Sequence, residues 1–341
     1  MTKPSLNQST ENADLSTLTP AMRQFIEIRT EVAKQHPNIL LLYRMGDFYE
    51  TFFEDAVEIN RLLGITLTSR GKGKPDAIPM AGVPFMTLDS YLARLVKLGK
   101  SVGIVEQIGD PAAVKGTMPR KLVRIVTPGT ITEDELLPAK ADAALIAVCP
   151  PSGKKSPQWS VVSLVLSSGA FKGFCCTEDE LPGEIARISP QEILIPDSCR
   201  ETAKSFSGAA QLTPLPDWHF DPKHGTDGLL HHFNMENLDA WAVSEKPGVL
   251  AAAGAILGYV EQTQVDAVPH IRPLVFEESS RFVGLDPSSR RNLELTEPLR
   301  SENGPTLFST IDHCHTSMGS RMLRSWITQP LRDPTVPRAR H

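Results

Sequence analysis

Apolar and polar positions alternate with different periods along the chain. Behind Thr19-Pro20, a cap followed by proline at the first helical position, Met22, Phe25, Ile26 and Val32 recur at roughly helical spacing. A helix is predicted there, ending by His36 because Pro37 disfavours helical geometry just before it. The short apolar run Ile39 to Tyr43 reads as a buried strand. After Gly46 the pattern moves toward a helix carrying Ala56, Ile59, Leu62 and Leu63 and ending at Gly64. Another helix is predicted from Leu88 through Tyr91, Leu92, Leu95 and Val96 to a Gly99 cap. Strands are expected at Val102 to Val105 and Leu122 to Val126, before Pro128-Gly129 punctuates this mixed α/β unit.

Beyond the Pro- and Ser-containing linker from Cys149 to Pro157, a second α/β unit is predicted. Trp159 to Leu166 and Ala170 to Cys175 flank Ser167-Ser168-Gly169 as a hairpin. Leu181 to Ile188 reads as a helix, Glu192 to Ile195 as a strand, and the Ala-rich stretch Leu250 to Gln264 as another helix. From Phe282 the character becomes helical, with segments at Leu293 to Leu299, Leu307 to Ile311 and Met318 to Ile327. Some 60 residues of amphipathic helix bury too little surface to stand alone, so this last piece is expected to be the start of a domain cut off at residue 341. The fold class expected is a multidomain α/β protein. Its parts are a disordered tail (1–18), an α/β domain (19–135), a second α/β domain (140–265) and the beginning of a helical domain (278–341).

Composition narrows the function classes. At 341 residues with 40% hydrophobic residues, the chain has enough apolar content for two or three packed cores. It has no run of about 18 apolar residues, and its first 20 residues lack the apolar stretch of a secretory signal, so no membrane association is expected. The five cysteines are odd in number and form no CxxC pair, which reads as ordinary thiols in a reducing cytoplasm. The net charge of −5 argues against a protein that grips nucleic acid with its whole surface. That average hides an asymmetry, because Arg61 to Thr130 carries 11 basic residues against four acidic ones. Such a split is read either as a polyanion-facing N-terminal module joined to an acidic remainder of the chain or as a solvated basic face.

Catalytic signatures are weak. Gly99-Lys100-Ser101 supplies only the second half of a phosphate-binding loop, since Arg94 stands where its first glycine belongs. Asp312-His313-Cys314-His315 and His231-His232 place ligand types in a row, yet neighbours so close do not all converge on one ion. No GxSxG or HExxH run is present, and no carboxylate spacing marks a metal-dependent nuclease. No catalytic residue, metal or cofactor is therefore assigned to this chain.

One aromatic cluster stands out. Phe48, Tyr49, Phe52 and Phe53 fall within six residues just after Gly46. In an extended segment Phe48 and Glu50 share one side and Tyr49 and Phe53 the other, whereas in a helix Phe48 and Glu50 would lie about 200° apart. Either all four rings are core, or Tyr49, Phe52 and Phe53 are core and Phe48 is presented beside a carboxylate.

Met45-Gly-Asp-Phe-Tyr-Glu50 resembles the mismatch-recognition motif of the MutS family of bacterial DNA mismatch-repair proteins, whose Phe-x-Glu falls on Phe48 and Glu50. The similarity continues, in the family's order, through Ile78-Pro-Met-Ala-Gly-Val-Pro84, Glu106-Gln-Ile-Gly-Asp-Pro111, Arg124-Ile-Val-Thr-Pro-Gly-Thr130, Asp286-Pro-Ser-Ser-Arg-Arg-Asn-Leu-Glu294 and Met318-Gly-Ser-Arg-Met-Leu323. Where many relatives have Tyr-His after the Pro84 position, this chain has Phe85-Met86. The resemblance implies a mismatch-binding domain, a ribonuclease-H-like connector and the start of a helical core. It also implies that Phe48 inserts into mispaired or looped duplex DNA from the minor groove and kinks it, with Glu50 discriminating against intact DNA. From the basic stretch, Arg70, Lys72, Lys121 and Arg124 are the expected backbone contacts. ATP with magnesium, the ATPase motifs, homodimerisation and a MutL-type partner belong, by the same resemblance, to the full-length family. The competing readings are a metal-dependent nuclease within residues 140–265 and a docking fragment that binds repair proteins.

Overall fold

A computed structural model describes residues 18–36, 38–71, 77–109, 116–131, 142–153, 157–264, 270–278, 281–299 and 304–340. Lys72, and the expected tail apart from Leu18, lie outside these residues. They form two compact units, one of residues 18–128 with 262–264, the other of residues 129–261 and 270–340.

The first unit begins with α1 (Pro20–Gln35), entered at Thr19-Pro20 as predicted. A six-stranded sheet follows: β1 (Leu40–Met45), β2 (Phe48–Phe52), β3 (Thr68–Arg70), β4 (Ile78–Pro84), β5 (Val102–Gln107) and β6 (Arg120–Val126), in the order β3-β4-β2-β1-β5-β6. Only β1 and β5 are parallel. Helix α2 (Phe53–Leu63) ends at Gly64, whose φ of +70° allows the left-handed stop anticipated there. A short 3₁₀ turn (Phe85–Thr87) leads into α3 (Leu88–Lys97). Strands β3 and β4 left no clear signal in the sequence. The first is three residues long, and the second, Ile-Pro-Met-Ala-Gly-Val-Pro, carries two prolines and a glycine where strand formers are expected.

Residues 48–52 are extended, which resolves the choice that the aromatic cluster left open. The expectation that Phe53 shares a side with Tyr49 is overturned. Phe53 has φ +56°, a conformation costly for a bulky residue, and it ends the strand's alternation as the chain turns into α2. Its ring stacks on Phe25 of α1 (6.2 Å), as Phe52 does edge-on (5.1 Å). Asp55, buried in the first turn of α2, accepts from Arg29 of α1 (3.1 Å) and from the Leu41 N–H (3.2 Å), tying two helices to β1.

The second unit is built on a six-stranded sheet ordered β11-β10-β7-β8-β9-β12. Strands β7 (Ala144–Cys149), β8 (Trp159–Val165) and β9 (Ala170–Cys176) form an antiparallel meander. Strands β10 (Glu192–Pro196) and β11 (Gln211–Leu215) extend it in parallel on one side, and β12 (Val275–Phe276) pairs in parallel with β9 on the other. Three antiparallel strands followed by two parallel ones is the ribonuclease-H-like arrangement expected. Helices α4 (Leu181–Ile188), α5 (Arg200–Ala203), α6 (Pro222–Phe233) and α7 (Pro247–Thr263) cover the sheet. Alternate residues of β7 enter opposite cores: Leu145 and Ala147 meet α7, while Ile146 and Val148 join Leu181 and Ile185 of α4. Burial on both faces explains why β7 reads as a continuous apolar run. The chain continues through α8 (Pro287–Asn292), α9 (Leu307–Ile311), α10 (Ser317–Thr328) and α11 (Thr335–Arg340).

The predicted helix from Leu293 to Leu299 is not formed. Helix α8 lies just before it, capped by Asp286, and stops at Leu293. Glu294 adopts φ +45° and its carboxylate accepts from the Leu299 N–H (2.7 Å). Pro298, which has no N–H to donate, sits within that stretch.

Helices α6 and α7 cross where two glycines meet. A Cβ added to Gly254 would lie 2.3 Å from the Gly225 Cα, whereas one added to Gly258 would meet nothing nearer than 4.0 Å. Gly254→Ala should therefore destabilise the second unit by about 1–3 kcal/mol through overpacking. Gly258→Ala should instead stabilise it by about 0.5–1 kcal/mol, because glycine costs entropy inside a helix. Denaturant titration of the two variants checks the contrast.

Candidate nucleic-acid interface

The site is set by where one helix stops. Paired residues in a sheet share a face, so the register places Leu41, Tyr43, Met45, Phe48, Glu50, Phe52, Gly82 and Arg70 on the side of the sheet that α1 covers. Met22, Phe25 and Ile26 of α1 pack there on Leu41, Tyr43, Phe52 and Val105. The first turn of α1 reaches only as far as the Tyr43 row, where the Tyr43 hydroxyl donates to the Ala21 carbonyl (3.3 Å). Among the described residues, no helix packs on Phe48 in the next row, Met45–Phe48–Pro84. Phe48 is accordingly 47% exposed while its neighbour Tyr49, on the other face, is 2% exposed.

The tip itself is a tight hairpin. Gly46 and Asp47 form the two-residue loop between paired Met45 and Phe48, and Gly46 takes φ +61°, the positive value required at the first position of primed hairpin turns. The Phe85 N–H donates to the Asp47 carbonyl (2.9 Å), which seats the 3₁₀ turn beside the loop. Phe85 and Met86 are exposed, Met86 at 86%, and the Phe85 ring stacks on Tyr49 (6.1 Å), on the face away from Phe48. Beneath them, the Arg44 guanidinium lies 3.8 Å from the Phe85 ring and 5.3 Å from the Tyr49 ring, and donates to the Gly46 carbonyl. The Tyr49 hydroxyl donates to Glu106; burial and this carboxylate push its pKa up to about 12. Arg120 braces the other side, donating to the carbonyls of Arg44 (2.8 Å) and Met118 (3.0 Å) and lying over the Tyr43 ring.

Glu50 is half-buried on the Phe48 face, two residues along β2. Its Oε2 is buried with no hydrogen-bond partner among the described residues. Opposite it stands Gly82, where a side chain would press on the Glu50 stem. Burial raises the Glu50 pKa, and the nearby positive charges of Arg70 and Arg120 only partly oppose the shift. If protonated, this carboxyl has an oxygen placed to donate a hydrogen bond.

The four expected backbone contacts separate. Arg70 ends β3 on the Glu50 face, Lys72 lies outside the described residues, and Lys121 and Arg124 lie on the opposite face, paired with Glu106 and Ile104. A bulge at Val123 lets two residues so spaced share a face. Arg44 and Arg120, which flank the hairpin most closely, were not singled out by the sequence. Arg120 appeared only as one of many basic residues, and Arg44 lay outside the basic stretch. Among the described residues, no three His, Cys, Asp or Glu side chains are placed to hold a metal ion, and no helix is long and apolar enough to cross a membrane.

Because its pKa is raised in the folded protein, Glu50 supports folding only below the ordinary carboxyl value of 4.5, and that support is lost as pH rises through the folded-state value. Glu50→Gln should therefore melt higher than the parent at neutral pH, with the gap closing below pH 4.5. Thermal melts across pH 3.5–8 test this expectation, and a gap that is absent or widens toward acid pH would contradict it.

Comparison with known protein families places this geometry. The chain matches MutS domain I over residues 19–135, MutS domain II over residues 143–272 and MutS domain III over residues 288–341.

Proposed function

The chain belongs to the MutS family, and on that premise we propose that it senses mispaired or looped duplex DNA, with Phe48 as a wedge that enters the minor groove at a weakened step. The observation that carries this reading is the exposure of Phe48 at the tip of a braced hairpin, beyond the part of the sheet that the described α1 covers.

The minor groove presents a degenerate pattern of donors and acceptors, so hydrogen-bond readout there separates mispairs poorly. Deformability separates them better. A mispaired step has already lost pairing and stacking, and kinking it costs less than the few kcal/mol of unstacking at an intact step. An aromatic ring stacked on the displaced base returns about 1–3 kcal/mol whichever base it meets. Arg44 and Arg120 hold the hairpin's backbone, so the ring arrives on a stiff support and little ordering cost is incurred on binding.

Glu50 supplies the contrast. Ionised, it is repelled by the phosphates and by base acceptors, which weakens association with matched duplex. At a mispair, DNA's negative field adds to the burial that already raises its pKa, and the protonated acid can donate to an acceptor on the displaced base. Arg70, on the same face, would meet a phosphate alongside; Lys121 and Arg124 would need a second passage of the backbone.

Phe48→Ala should lower affinity for a G·T duplex by about tenfold or more, to the level of its G·C counterpart, the loss of one base–aromatic stack. Glu50→Ala should keep mismatch binding and bind matched duplex more tightly. Gel-shift or anisotropy titrations of both duplexes at one salt concentration decide the matter. An unchanged G·T preference in Phe48→Ala, or weaker matched binding in Glu50→Ala, would reject this division of labour.

A further inference from the structure

The second unit contains a polar cleft of about 680 Å³ that the mismatch reading does not use. Its walls come from the end of α4, the start of β10, α8 and α10. Five arginines line it: Arg187, Arg290, Arg291, Arg321 and Arg324. Two lining carboxylates oppose them, Asp142 at 3.6 Å from Arg321 Nε and Glu297, so positive charge is in excess. Ser189, Ser325 and Thr328 add hydroxyls to the same walls.

The arginines are fixed in place. Arg187, whose side chain is 6% exposed, is held by Glu184 (2.6 Å) and lies between the Phe174 and Phe282 rings, 5.2 Å from each centroid. Arg290 donates one amino group to the Thr328 carbonyl (2.7 Å), while its Nε is buried with no partner among the described residues. An unmatched buried donor on a charged group is costly, and an acceptor supplied by a ligand removes that cost. Burial lowers the pKa of both Arg290 and Arg324, with Arg187 adding to the effect at Arg290. Guanidiniums offer planar pairs of donors that match oxyanions, and a cleft of this volume suits a compact ligand.

We propose that this cleft is a binding site for a multiply charged, phosphate-type anion, taken up as a free oligophosphate and not as the backbone of a duplex. Lining by four elements that together carry five arginines favours the compact source over an extended strand. The site is independent of the Phe48 tip, so each reading can fail without the other.

Isothermal titration of the whole chain with sodium tripolyphosphate tests the proposal. The expected result is saturable one-to-one binding that weakens about tenfold in Arg291→Gln, whose exposed side chain leaves the fold intact, and in Arg290→Gln. Phe48→Ala should bind tripolyphosphate as the parent does, and a short matched duplex should not displace it. No saturable binding, full affinity in both arginine variants, or displacement by the duplex would overturn the proposal.

Discussion

The exposure of Phe48 depends on the reach of α1 over its sheet. Met22, Phe25 and Ile26 close the core down to the Tyr43 row, and the hydrogen bond from Tyr43 to Ala21 marks the edge of that cover. The exposure of Phe48 therefore follows from where the described helix stops over the hairpin, and the pleat of β2 assigns Phe48 and Tyr49 to opposite fates.

An exposed aromatic ring is useful only if its backbone stays put. Here the support is polar. Arg44 and Arg120 satisfy carbonyls of the hairpin and of the neighbouring loop, and both rest on aromatic rings. These arginines are engaged by the protein's own carbonyls and rings, which makes them bracing charges. Glu50 lies in the same setting with a different outcome. It has positive neighbours but no hydrogen bond for Oε2, so burial prevails and the proton is held more tightly.

The second unit solves a different problem. Its sheet is buried on both faces, its Ala-rich helix α7 is almost wholly enclosed, and α6 approaches α7 through paired glycines. Its buried carboxylate, Glu192, accepts from Tyr259 (2.7 Å), Thr213 (2.6 Å) and the Gly129 N–H (3.0 Å), a satisfied knot linking two strands, a helix and the entry to the domain. The nuclease-like topology thus carries a structural carboxylate at this position, and function has to be argued from sites and not from the fold.

Local signals in the sequence settled much of this protein. Thr19-Pro20, Gly64 and Gly99 bounded helices because proline and glycine constrain or release φ at single residues, and Ser-Ser-Gly169 closed a hairpin for the same reason. The extended form of residues 48–52 puts Phe48 and Glu50 on one side of the strand, the arrangement expected for an extended segment. Tertiary structure decided the remainder. Strands β3 and β4 pair despite poor strand residues because neighbours supply the hydrogen bonds, and Leu293 to Leu299 fails to coil because Glu294 and Pro298 divert the backbone. Whether a given ring is core or tip, and whether a given arginine braces or faces outward, depends on which row a helix covers and on which side a bulge turns a side chain. Those are relations between segments far apart in the chain, and no local period encodes them.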